Sequence, residues 1–196
     1  MEKEPNRARN FSVREVLKDG TRVTIRALLP DDRQRLVEAF RLLDRQSIYT
    51  RFFTHRSAFS AAEVDRAINV DFVSEVALIV TIRHRRGETA IAAGRYIVAG
   101  AGTAELAFVV EEDYQGRGIA SRLLARLAAL ARAQGIARFE ADVLARNAPM
   151  LAVFTRCGFP LREKRDGNVI SLTLALDAED GPADESRKGR RATQLT

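Results

Sequence analysis

Cysteine is nearly absent from this chain: Cys157 stands alone in 196 residues. That excludes a disulfide framework and a cysteine-rich metal site. Histidine is almost as scarce. His55 and His84 lie far apart, one in a loop and one in a strand-end turn, and neither has metal-ligand spacing. No apolar run approaches the roughly 18 residues of a membrane-spanning helix. The N-terminus MEKEPNRARN is polar, without the apolar centre of a signal peptide. The expectation is a cytoplasmic protein with no metal and no membrane contact. Lysine is scarce too. Arginine supplies all of the 32 basic residues except Lys3, Lys18, Lys164 and Lys188, and the net charge is +6. An arginine excess fits a nucleic-acid partner, but the arginines are spread along the chain. The only concentrated patch is SRKGRR in the tail, from Ser186. A local positive patch is all that binding an acidic small molecule requires, so a nucleic-acid role is not expected.

Acid is missing from one stretch in particular. From Gly116 to Arg138 the chain carries Arg117, Arg122, Arg126, Arg132 and Arg138, and no Asp or Glu. Nothing local in sequence opposes a polyanion there. The stretch opens on Gly116 and Gly118 and runs into a long helical pattern. Ala120, Leu123, Leu124, Leu127, Ala128 and Ala131 recur at three- and four-residue steps, one apolar face of a helix. Gly135 suits the left-handed residue that closes it. Upstream, Glu105–Val110 (ELAFVV) reads as a strand. Strand, acidic turn, glycine loop and helix, in that order, suggest an anion site. Helix N-terminal N–H groups attract phosphate, and glycines let the backbone come close. A P-loop would need GKS or GKT, but Ile119 and Ala120 follow Gly118. A dinucleotide fingerprint would need Gly or Ala at Ser121 and a loop directly on the strand end.

The remaining segments read in order. Residues 1–10 are expected to be a disordered lead, and Thr21–Leu28 a first strand. A helix starts at Pro30-Asp31-Asp32 with Leu36, Phe40 and Leu43 inward. Gln46–Phe53 forms an aromatic connector. Ser60 and Glu63 suit a capping box for a second helix. Val76–Ile82 and Thr89–Val98 are strands, as is Arg138–Leu144. Asn147 caps a helix that Gly158 ends. Phe159–Lys164 and Val169–Leu176 are strands joined at an Asp166-Gly167 hairpin turn. Asp177–Thr196 is charged and poor in apolar residues, expected to be disordered. A strand-heavy first half followed by strand–helix units argues for a mixed α/β sheet with helices on both faces.

Gln115, Gly116, Arg117, Gly118, Ile119 and Ala120 complete the pattern Q/R-x-x-G-x-G/A. With it, Asn147 to Phe159 reads N-x-x-M-x-x-x-F-x-x-x-G-F. On these motifs and on its element order, the chain resembles the GNAT N-acetyltransferase superfamily. The likeness covers about 20–176, with 1–19 as a lead and the start of the first strand, and 177–196 as a tail. It implies a mostly antiparallel sheet with one splayed parallel pair, Leu106–Val110 beside Phe139–Leu144. It also implies that acetyl-CoA is the co-substrate and that transfer to an amine is direct. Phe108, Val109 and Val110 would offer backbone groups to the pantetheine arm. Gln115 to Ser121 would hold the pyrophosphate, and Asn147 would reach the pantetheine amide region. Glu105 would be the general base; its structural alternative is an exposed carboxylate at a strand start. Glu111, Glu112 and Asp113 read as a solvated turn. Many relatives place a tyrosine where Phe154 stands, and Phe154 cannot donate a proton. Tyr114 reads as packed or exposed, and Cys157 as a small buried or half-buried residue.

A narrower likeness lies in DGTRVTIRALLPDD, IYTRFF and VDFVSEVALIV. These stretches are similar to the bacterial protein-lysine acetyltransferase branch, whose members modify acyl-CoA synthetases and are often fused to a regulatory domain. The resemblance favours a protein lysine as acceptor. The rivals are a small-amine acetyltransferase and a non-catalytic acyl-CoA-binding module. Between Asp44 and Ser60 no further acid occurs, which disfavours a cationic pocket built from that stretch.

Overall fold

The computed structural model describes residues 6–42, 61–85 and 87–177. Eight strands form one sheet in the order β1-β2-β3-β4-β5-β6-β8-β7. A single helical turn, α1 (Asn6–Arg9), precedes a hairpin of β1 (Ser12–Val16) and β2 (Arg22–Ala27). β3 (Glu75–His84), β4 (Gly87–Gly100) and β5 (Thr103–Val110) continue as an antiparallel meander. β6 (Arg138–Leu144) runs parallel to β5, and the hairpin β7 (Leu161–Asp166) and β8 (Val169–Ala175) closes the sheet.

Each face of the sheet carries helices. On one face, α2 (Arg33–Leu42) and α3 (Ala61–Ile68) place Leu36, Val64 and Ile68 against Ala77, Ile79 and Ala90. On the other, α4 (Ile119–Ala133) buries Leu123, Leu124, Leu127 and Ala131 against the alternate residues Val76, Leu78 and Val80 and their neighbours. Both faces of β3 are therefore covered, which is why its sequence is an unbroken apolar run rather than an alternation. Every residue of the apolar stripe read in α4 is buried. Each of its leucines contributes about 1.5–3 kcal/mol by leaving water. α5 (Ala148–Thr155) lies beside α4 and buries Phe154.

The N-terminal region differs from its sequence reading. Residues 6–9 are helical with Ala8 buried, and β1 is a strand of the sheet rather than a lead. The alternation in this stretch is disguised. Phe11, Val13 and Leu17 pack on the core, but the intervening inward position is the charged Glu15. The hairpin forms, but one residue on from its sequence reading: Asp166 stays in β7 and pairs with Val169, so Gly167 and Asn168 make the turn. Leu43, the connector Gln46 to Phe53, His55, Ser60 and the tail beyond residue 177 lie outside the described residues.

Polar ties fix the elements that carry the sheet. Asp32, 1% exposed, accepts from both terminal nitrogens of Arg26, at 2.6 and 2.7 Å, and from the Leu29 N–H at 3.1 Å. The buried Tyr96 hydroxyl donates to Gln134 at 2.9 Å. Gln134 in turn donates to the carbonyl of Phe72, a residue with φ of 59°. The Asp71 carboxylate closes that loop by accepting from the N–H groups of Val73, Ser74 and Glu75 and from the Ser74 hydroxyl. Burial alone would raise the Asp71 carboxyl, but these donors pull it down to about 2.

Candidate active site

Where β5 ends, a turn of Glu112–Tyr114 leads to the glycine loop. Gly116 and Gly118 have φ of 73° and 85°, in the left-handed region that costs an L side chain about 1–2 kcal/mol. Gly118 is the N-cap of α4 and supplies no side-chain cap, and the first turn carries no acid. The leading N–H groups of α4 have no intrahelical carbonyl to bond. Ile119, Ala120 and Ser121, which carry them, border a cleft of about 1400 Å³.

The cleft exists because β5 and β6 part. They pair only at Thr103–Arg138, Ala104–Phe139 and Glu105–Glu140. Beyond that point β6 stays paired with β8 through Leu144, and β5 with β4 through Val110. The edge of Leu106–Val110 that faces β6 is left without a strand partner. Phe108 turns beneath this edge toward α4. Its ring passes so close to Gly94 that a Cβ there would come within 2.7 Å, and its centroid lies 6.2 Å from that of Phe154. Phe154 is buried and offers no proton donor. Asn147 caps α5, its Oδ1 accepting from the Met150 N–H at 3.2 Å.

Every site residue named from the sequence borders this cleft except Arg117. The Arg117 side chain instead donates to Asp19 and to the Asp113 carbonyl, both at 2.6 Å, and lies over the Tyr114 ring. Among the described residues, Glu105 is exposed and makes no hydrogen bond or ion pair. Glu140 lies opposite it in register, and Asp142, two residues on, shares that face and accepts from Ser171 at 2.7 Å. Carboxylates therefore do stand beside Glu105, supplied by β6. Glu111 also departs from its reading as solvated. Among the described residues its Oε2 is buried without a partner, and burial, then the charges of Asp113 and Glu112, raise its carboxyl against the Asp113 N–H. Cys157 is half-buried.

The structure adds residues that the sequence reading passed over. Glu15 accepts from Arg122 at 2.9 Å and from Arg126 at 2.7 Å, so acid does reach the arginine-rich stretch, from β1. Lys18 and Arg95 line the cleft as well. The polar alternation Arg138, Glu140, Asp142 against Phe139 and Val143 was the available signal for the β6 carboxylates. Among the described residues no group of His, Cys, Asp and Glu could hold a metal ion, and no helix is long and apolar enough to cross a membrane.

The family described as "Acetyltransferase (GNAT) family" matches residues 42–159, more than half of the chain. "Acetyltransferase Pat" of Mycolicibacterium smegmatis is 33% identical over 136 residues, covering 68% of this chain and 40% of that protein. "Acetyltransferase PA5475" of Pseudomonas aeruginosa is 28% identical over 165 residues, 83% of this chain and 88% of its own. Among solved structures, the GNAT domain of S. lividans PAT superposes with a TM-score of 0.77 at 38% identity, covering 84% of this chain and 96% of that domain. The chain thus spans less than half the length of the Mycolicibacterium relative.

Proposed function

Because this chain belongs to the acetyltransferase (GNAT) family, we propose that it transfers acetyl directly from acetyl-CoA to a protein lysine side chain. The observation that carries this reading is the parted β5–β6 pair, with an uncapped glycine loop at one end and at the other Glu105, a carboxylate without a side-chain partner among the described residues. The similarity to the S. lividans PAT domain and to Acetyltransferase Pat supports a protein acceptor.

Bound acetyl-CoA would supply an activated acetyl thioester. The chain's own residues would do the rest. N–H groups from Gly116 to Ser121 hold the pyrophosphate, Gln115 keeps the loop on Val110, and Arg117 contributes through its backbone while its side chain braces the loop. The unpaired edge at Phe108, Val109 and Val110 bonds the pantetheine arm, and Asn147 retains its amide NH2 for the same purpose. An N–H of that edge faces the carbonyl oxygen as charge develops on it. A lysine ammonium has a pKa of ~10.4, so only about one amine in 10³ is neutral at pH 7. Glu105 takes the proton, the free amine attacks the carbonyl, and the carbon–sulfur bond breaks. With Phe154 at the position of the usual donor, the thiolate leaves unaided or takes its proton from water.

Gly118→Ala tests the loop. A Cβ there would meet the flexible Arg122 Nη1 at 2.9 Å, which is easily relieved; the positive φ is what an alanine cannot satisfy cheaply. A cost of about 1–2 kcal/mol on the bound conformation corresponds to roughly tenfold weaker acetyl-CoA binding by calorimetry, in a variant that remains folded. Unchanged affinity would remove the loop from the site.

The acceptor is tested by mass spectrometry on the purified protein with acetyl-CoA. It should acetylate a lysine of an acyl-CoA synthetase with a higher kcat/KM than free lysine or spermidine. The second reading, a small cationic amine, draws on Glu140 and Asp142, which would surround an ammonium at Glu105. A higher kcat/KM on a small amine than on every protein tried establishes that reading instead.

A further inference from the structure

The tip of the β1–β2 hairpin reaches the glycine loop. Lys18 sits in this tip, and its Cε would lie 3.6 Å from a Cβ built on Gly118. The tip is held in shape by its own bonds. Leu17 and Thr21 pair through N–H···O at 2.8 Å, Gly20 donates to Leu17 at 3.0 Å, and the Thr21 N–H donates to Asp19 at 3.0 Å. It is also fastened to the loop and to α4. Asp19 holds Arg117 at 2.6 Å, Glu15 holds Arg122 and Arg126, and Arg122 donates to the Val16 carbonyl at 2.8 Å.

These contacts sort the cations beside the hairpin. Arg117, Arg122 and Arg126 each have a hairpin carboxylate. Lys18 has none among the described residues, and it borders the cleft. An unneutralised ammonium beside the N-terminus of α4 faces the positive end of the helix dipole, an arrangement that is unfavourable until an anion arrives. Three observations therefore converge: a free cation, a rigid hairpin that aims it, and adjacent N–H groups without acceptors. We propose that Lys18 is a direct ligand of the cofactor's phosphates, and that Glu15 and Asp19 are positioning residues that fasten the hairpin presenting it. The proposal rests on the reading of the cleft as the acetyl-CoA site and adds the hairpin as a further wall. A lysine suits this position because a compact ammonium on a flexible stem can meet any phosphate oxygen, whereas an arginine fork demands a fixed geometry.

The test is calorimetry on the full chain with CoA, 3′-dephospho-CoA and pantetheine, the last followed by NMR titration where binding is weak. Lys18→Ala should weaken CoA about tenfold, the range of one charge-assisted hydrogen bond at a partly exposed site. Its CoA affinity should also fall less steeply with salt, and pantetheine binding should not change. Lys18→Arg keeps the charge but not the compact ammonium, and should recover only part of the loss. The ligand-free Tm of Lys18→Ala should be unchanged or slightly raised, since a charge unfavourable to the helix has gone. A loss shared by CoA and dephospho-CoA assigns the pyrophosphate, and a loss confined to CoA assigns the 3′-phosphate; either supports the proposal. Equal weakening of pantetheine, or a lowered Tm with equal losses on all ligands, would make Lys18 structural and overturn it. Wild-type affinity for CoA in Lys18→Ala overturns it while leaving the cleft reading standing. Failure of the wild-type chain to bind CoA at all removes both.

Discussion

Glu105→Gln is expected to lower acetyl transfer by about 10²-fold or more at neutral pH, in the range for loss of the proposed general base, while acetyl-CoA binds as before. Glutamine keeps the shape of the side chain, and Glu105 makes no tie among the described residues whose loss could disturb β5. The effect should also depend on pH in a particular sense. The base is needed because the amine is protonated, so the deficit narrows as pH rises toward ~10.4, where the acceptor deprotonates unaided. A structural defect would persist at every pH. Among the described residues Glu140, opposite Glu105 in the parallel register, is placed to substitute. Glu105→Gln with near-normal turnover across the pH range would move the role to Glu140 or to water, and the double variant with Glu140→Gln would tell which.

Asp32→Ala should cost about 3 kcal/mol in stability by urea unfolding. Removing one partner of a buried pair leaves the other charge uncompensated, which typically costs 3–5 kcal/mol. Arg26 retains some exposure and a longer contact to Glu88 at 3.3 Å, which places the expectation at the low end. The interaction is also visible in the pH profile. Burial alone would raise the Asp32 carboxyl, but hydrogen bonds from Arg26, the Leu29 N–H and Arg35 hold it below the usual carboxylate range. A depressed folded pKa gives stability that is present in full above the unfolded value of ~3.9 and is lost as pH falls through the folded one. The wild type should therefore lose stability more steeply than Asp32→Ala below pH ~4. A loss under 1 kcal/mol, with parallel pH profiles, would show that Glu88 suffices for Arg26.

The centre of the fold was legible because its signals are local. The stripe from Ala120 to Ala131 becomes the buried face of α4, the apolar run of β3 becomes a strand covered on both sides, and Gly135 takes the left-handed conformation expected of the residue that closes the helix. What was missed depends on partners distant in sequence. Glu15 breaks an alternation at an inward position, and only Arg122 and Arg126, more than a hundred residues on, account for a carboxylate there. The side-chain partner of Arg117 is of the same kind, since its guanidinium is committed to Asp19, which no local pattern reveals. The β6 carboxylates illustrate the same limit. Glu140 and Asp142 lay in a segment correctly read as a strand, but their place beside Glu105 follows from a parallel register that breaks off after that very pair.

Amide hydrogen exchange with and without acetyl-CoA addresses the account at its centre, which is that the parted strands and the uncapped helix form one cofactor site. At saturating acetyl-CoA, protection should rise in Leu106–Val110 and in Gly116–Ser121 together, and little elsewhere on the outer strands β7 and β8. Binding that leaves those two segments exchanging as in the free protein, or that protects a different face of the sheet, would contradict it.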